Sequence, residues 1–119
     1  MKLVRYGAKG AEKPGLIDQA GQLRDLSGEV EDFHPHLMTF DLTNRLSKLD
    51  AVKLPAVSGN SRFGAPVART GHFIAIGLNY ADHAAESNMP VPVEPVIFSK
   101  APSAVCGPDD NVIIPKGSK

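Results

Sequence analysis

Apolar positions along this chain come in short runs separated by turn-forming residues, and that rhythm predicts strands before helices. Residues 2–6, Lys-Leu-Val-Arg-Tyr, predict a strand, with Gly7-Ala8-Lys9-Gly10 as the loop after it. Two further strands follow, Pro14 to Asp18 and Gln22 to Leu26, joined by a turn containing Gly21. The period changes after Thr39. Leu42, Leu46 and Leu49 are spaced at i, i+4 and i+7, which predicts a short amphipathic helix with Thr39 as its cap. From Val52 to Thr70 the chain is rich in Pro, Gly, Ser and Asn and reads as a connector.

Beyond the connector the apolar runs are denser. Phe73-Ile74-Ala75-Ile76 is continuous, as expected of a strand covered on both faces. Gly77-Leu78-Asn79 turns the chain, and Tyr80 to Ser87, with three alanines and no Gly or Pro, predicts a helix. Val96-Ile97-Phe98 and Val112-Ile113-Ile114 predict two more strands, separated by a turn at Gly107-Pro108-Asp109-Asp110. The expected fold class is therefore mainly β with short helices (α+β). Residues 1–65 form a small β-rich N-terminal domain, and residues 66–119 open a second domain. The sequence stops at Lys119 directly after an apolar run, so that second domain is expected to be incomplete.

Composition narrows the function classes. Thirteen basic and thirteen acidic side chains give no net charge and form no basic cluster, so no phosphate-neutralising face for nucleic acid is expected. No apolar run approaches membrane-spanning length and no leader-like stretch opens the chain, which makes the cytoplasm the expected location. One cysteine, Cys106, excludes an internal disulfide; its small apolar surroundings predict a buried thiol.

The stretch with chemical promise is Ile76-Gly77-Leu78-Asn79-Tyr80-Ala81-Asp82-His83-Ala84-Ala85-Glu86. Asn79 is placed to cap the helix, and Asp82 suits its first turn. His83 and Glu86, three residues apart, project from one helical face. A carboxylate beside an imidazole fixes its tautomer and stabilises its cation, which is the orienting half of a general-base pair. Such pairs are also common as plain surface residues. Four other groups read more plainly. His34 and His36 could pinch a transition metal, but two ligands do not make a site. Asp109-Asp110 is a turn sequence first. Phe40 with the leucine stripe belongs to a core, and Lys100 reads as a surface lysine.

The run IGLNYADHAAE, followed by PVIFSKAPSAVCGPDDNVIIP, resembles the opening of the fumarylacetoacetate hydrolase family's catalytic domain, which has the form G-x-N-Y-x-x-H-x-x-E followed by a strand like P-x-x-F-x-K. The start MKLVRYG and the later GLID and RDLSG are similar to the small N-terminal domain of one bacterial branch, which includes 2,4-diketo-3-deoxy sugar acid hydrolases and proteins named ureidoglycolate lyase. The resemblance implies that residues 66–119 are the first strands of a mixed β-roll. It also implies a Mg²⁺- or Mn²⁺-dependent hydrolase or lyase of small oxo-acids such as acylpyruvates or diketo sugar acids, usually a homodimer. On it, His83 and Glu86 are the water-activating dyad and Lys100 lies near the anionic substrate. The family's metal ligands are two Glu one residue apart, just downstream of the Pro-ending strand, and a later Asp. None of these is matched here, so no metal-ligating residue is assigned and the chain alone is expected to be inactive. Two other readings stay open at this point: a non-catalytic binding or regulatory module, and one chain of a two-chain enzyme.

Overall fold

The computed structural model describes residues 1–118. It is mainly β with short helices, as the sequence predicts, and its strands form two small sheets. Contacts divide it into two compact units: Met1–Arg69 together with the returning segment from Cys106, and Thr70–Val105.

The first unit is built on a three-stranded antiparallel sheet, β1 (Lys2–Tyr6), β2 (Lys13–Ile17) and β3 (Leu23–Asp25), with β2 in the centre. The register pairs Lys2 with Ile17 and Tyr6 with Lys13, then Ile17 with Leu23. The β2–β3 turn is held by Asp18. Its Oδ1 accepts from the amides of Ala20 and Gln22, both at 2.9 Å, and its Oδ2 pairs with Arg24 Nε at 2.9 Å. Gly21, at φ 83°, takes the left-handed position that a side chain would disfavour. Gly15 is needed for a different reason: a Cβ there would come within 2.9 Å of the Tyr6 ring and 3.0 Å of the Arg24 carbonyl.

The segment read as a connector turns out to be stitched into this sheet. Asp25 donates to the Pro55 carbonyl and Val57 to that of Leu23, both at 2.9 Å, so residues 55–57 lie along the outer edge of β3. Gly7 donates to the Arg62 carbonyl at 2.9 Å and Gly64 to that of Arg5 at 2.8 Å, which places residues 62–64 along the outer edge of β1. The outer edge of β3 and the C-terminal end of β1 are thereby occupied, which reduces the exposed backbone that invites pairing with other chains.

One helix covers the sheet's apolar face. Helix α1 (Phe40–Ser47) begins where Thr39 Oγ1 accepts from the Leu42 amide at 3.2 Å, as expected of the cap. Leu42 and Leu46 are buried in a cluster with Leu16, Leu26, Val30 and Phe33, while Leu49, just past the helix end, packs against its margin. Phe40 differs from expectation: it is exposed and takes no part in this core.

The second unit holds β4 (Phe73–Gly77), α2 (Ala81–Glu86) and β5 (Val96–Lys100), with β4 and β5 paired antiparallel from Phe73–Lys100 to Gly77–Val96. The expectation that β4 is covered on both faces is not met. Phe73, Ile74, Ile76, Val96, Ile97 and Phe98 keep between 43% and 67% of their surface in solvent. A third expected strand, Val112–Ile114, forms no ladder among the described residues, and its side chains are more than three-quarters exposed. Cys106, expected to be buried, is exposed as well.

Candidate active site

Helix α2 carries His83 and Glu86 and is defined by its two ends. At the start, β4 ends at Gly77 and Leu78 adopts a left-handed conformation, φ 49°, which is costly for a residue with a side chain. This bend shifts the helix start by one residue from the expected position. Tyr80, not Asn79, is the N-cap, and no side chain accepts there; instead Asp82 Oδ1 accepts from the His83 amide at 2.8 Å. At the other end, Asn88 is left-handed at φ 50° and donates to Ala85 at 3.1 Å, while Met89 donates to Ala84 at 2.9 Å. This paired pattern is a Schellman stop, with Asn in the place glycine usually takes.

Within the helix so framed, Ala84 is buried, whereas His83 and Glu86 are exposed and share one helical face in the i, i+3 relation. No hydrogen bond joins their side chains among the described residues. Lys100, at the end of β5, is exposed, and its Nζ lies 5.9 Å from the centroid of the cross-strand Phe73 ring. That cation–π contact is a structural use of the ammonium, worth about 0.5–1 kcal/mol at an exposed site. Beside the start of α2, Ile76 to Asn79 and Val91 to Pro95 line an open cleft of about 290 Å³.

The described residues do not fit a divalent metal: no group of three or more His, Cys, Asp or Glu is placed to hold one. His34 and His36 stack their rings 5.7 Å apart at 9°, a packing arrangement. The Asp110 carboxylate is already engaged by the Arg62 guanidinium and the Gly107 amide.

Of the strongest electrostatic features, the sequence points only to Asp110, and to it as part of a turn. In the first unit five side chains alternate in sign. Arg5 grips Asp32 at 2.7 and 2.9 Å and approaches Glu12 at 3.7 Å. Arg62 donates to Glu12 at 2.9 Å and, through Nε and Nη2, to both oxygens of Asp110 at 2.6 Å. Burial pushes Glu12 and Asp32 up, but the hydrogen bonds from Arg62 and Arg5, joined by backbone hydrogen bonds and the neighbouring positive charge, together outweigh it and leave both carboxyls below the ordinary range. Asp110, held by Arg62 and by the Gly107 amide, is brought down to about 2. No spacing rule links positions 5, 12, 32, 62 and 110, so nothing local to any one of them marks the ladder.

Residues 72–119 match the family model described as Fumarylacetoacetate (FAA) hydrolase C-terminal. Across almost the whole chain, similar proteins occur in Burkholderia and carry the printed name "Putative hydrolase". One from Burkholderia ambifaria (strain MC40-6) is 55% identical over 118 residues, and one from Burkholderia multivorans (strain ATCC 17616 / 249) is 56% identical over the same length. In each case the match covers 99% of this chain and 42% of the relative, so the chain spans less than half the length of these relatives. Among the described residues no helix is long and apolar enough to cross a membrane.

Proposed function

We propose that this chain, whose residues 72–119 match the fumarylacetoacetate hydrolase family model, supplies the N-terminal unit and the acid–base segment of an enzyme that cleaves small oxo-acids of the acylpyruvate or diketo sugar acid type. The observation that carries the reading is the framing of α2, where a strained turn and a Schellman stop hold a six-residue helix with His83 and Glu86 on its solvent side. His83 is the general base toward water, and Glu86 orients its ring and stabilises the imidazolium. Lys100 attracts the substrate's carboxylate. A divalent cation, Mg²⁺ or Mn²⁺ on this reading, would chelate a 2-oxo acid and polarise its carbonyl. Its ligands are not among the described residues, so the steps assigned here are confined to His83, Glu86 and Lys100. The working enzyme is a cytoplasmic homodimer on the same reading.

The test is a fusion of residues 1–118 to the remaining length of one of the Burkholderia relatives, assayed with acylpyruvates and diketo sugar acids in Mg²⁺ or Mn²⁺. His83→Ala and Glu86→Gln should each lower turnover by about 100-fold or more while leaving the melting temperature unchanged, because both side chains are solvent-facing. Unchanged turnover in both variants of an active fusion would remove the dyad from the mechanism. Native mass spectrometry of the chain itself separates the rival readings. A lone species of 12.6 kDa with a stable fold speaks for a binding module, and a copurifying acidic polypeptide that retains Mg²⁺ speaks for a two-chain enzyme.

A further inference from the structure

The returning segment of the first unit is held at one short turn. Gly107 is buried, and a Cβ added there would collide with the Phe63 carbonyl oxygen, so the backbone at this point lies directly against the 62–64 edge segment. The turn closes on itself: Asp110 donates its amide to the Gly107 carbonyl at 3.2 Å, and the Gly107 amide donates to Asp110 Oδ2 at 2.9 Å. The same carboxylate then receives the planar fork of Arg62 at 2.6 Å on each oxygen, the bidentate geometry that gives an ion pair direction as well as strength. Arg62 is itself fixed, since its Nη1 donates to Glu12 at 2.9 Å and to the Gly7 carbonyl at 3.2 Å. Past Asp110 the hold ends: Asp109 and residues 112–114 are exposed, and no side-chain hydrogen bond is made from residue 111 onward among those described.

We propose that the Gly107–Asp110 turn is a latch, and that the Arg62–Asp110 ion pair decides whether residues 106–115 lie on the N-terminal unit or swing free of it. The turn is preformed and small, one buried glycine wide, and a single arginine closes it. Because Arg62 is anchored independently by Glu12 and Gly7, opening the latch leaves the receiving side in place.

Backbone amide NMR of the 119-residue chain tests this. In Asp110→Asn, heteronuclear NOE values for residues 107–110 should fall from those of the sheet to those of a free terminus, and the Asp110 amide should exchange about tenfold faster or more. Amides of β1 and β2 should exchange as before. Asp109→Asn, one residue away and outside the ion pair, should change nothing. Arg62→Lys, which keeps the charge but loses the fork, should also loosen the turn, and exchanging the pair (Arg62→Asp with Asp110→Arg) should restore it in part. The proposal is overturned if residues 107–110 stay as rigid as the sheet in Asp110→Asn. It is equally overturned if β1 and β2 lose protection together with the turn, since the pair would then be an inseparable part of the fold.

Discussion

Tyr6 shows how much a single buried side chain can report. Burial first, and then the neighbouring Asp25 carboxylate, raise its phenol to about 12 from an ordinary 10. The neutral form is the one the fold favours, so the associated stability is complete below pH 10 and is lost as pH rises toward 12. The difference of about 2 units corresponds to about 2–3 kcal/mol. In Tyr6→Phe this alkaline component should vanish: denaturant midpoints of the variant should decline less than those of the parent between pH 10 and 12. An equal decline in both would assign the loss to other groups. At this scale the sequence was an uneven guide. It named His83 and Glu86 by type and spacing and Lys100 by resemblance; it also placed Cys106 in the interior and Phe40 in the core, and these last two are exposed. It was also silent on Gly15, whose requirement comes from a ring on the adjacent strand and an oxygen on the next one, neither of which is near it in sequence.

The two helices contrast in how openly their sequences declare them. Helix α1 obeys local rules: a threonine cap, an acidic residue in the first turn and leucines four apart on the buried side. Replacing Thr39 with alanine removes the oxygen that satisfies the Leu42 amide and should cost about 1 kcal/mol in chemical denaturation. Thr39→Ser, which retains the hydroxyl, should recover most of it; no recovery would mean that the cap bond contributes little. Helix α2 ignores the residue that local rules favour. Asn79 would cap it if the chain left β4 smoothly, but the left-handed turn at Leu78 delays the helix by a residue. Strand β4 misled in a related way. A continuous apolar run means burial only where something covers it, and the two-stranded ribbon leaves its large side chains open. Strands β1 to β3 were legible within one or two residues because alternation and turn residues fix them locally. The edge roles of residues 55–57 and 62–64 were not, since Pro, Gly and Ser resemble a loop whether or not a strand lies alongside.

For the molecule as a whole, acid should act through the carboxylates held low by their partners. Asp18, Asp25, Asp32, Glu12 and Asp110 all sit below their ordinary values. Groups shifted in this direction lend stability above their unfolded values and withdraw it as pH falls through the folded ones. Urea midpoints should therefore hold above pH 5 and drop steeply from about pH 4 toward 2, the value Asp110 is brought down to. A midpoint unchanged at pH 2.5 would show that these pairs are replaced without loss by solvent. The likeness to the family model over residues 72–119 was legible in the sequence because the G-x-N-Y-x-x-H-x-x-E run and its following strand are dense in specific residues. Contacts between groups distant in sequence, such as the alternating ladder in the first unit, leave no comparable record in spacing.

The latch also has a schedule. Arg62 and Asp110 are 48 positions apart, so on a chain synthesised at about 5–20 residues per second the arginine waits between about 2 and 10 seconds for its carboxylate. During that interval the sheet, its two edge segments and α1 are already available, because every contact among them lies before residue 70. The newborn protein thus passes through a stage in which Arg62 is tied to Glu12 and Gly7 alone and the 62–64 edge is open to whatever segment reaches it first.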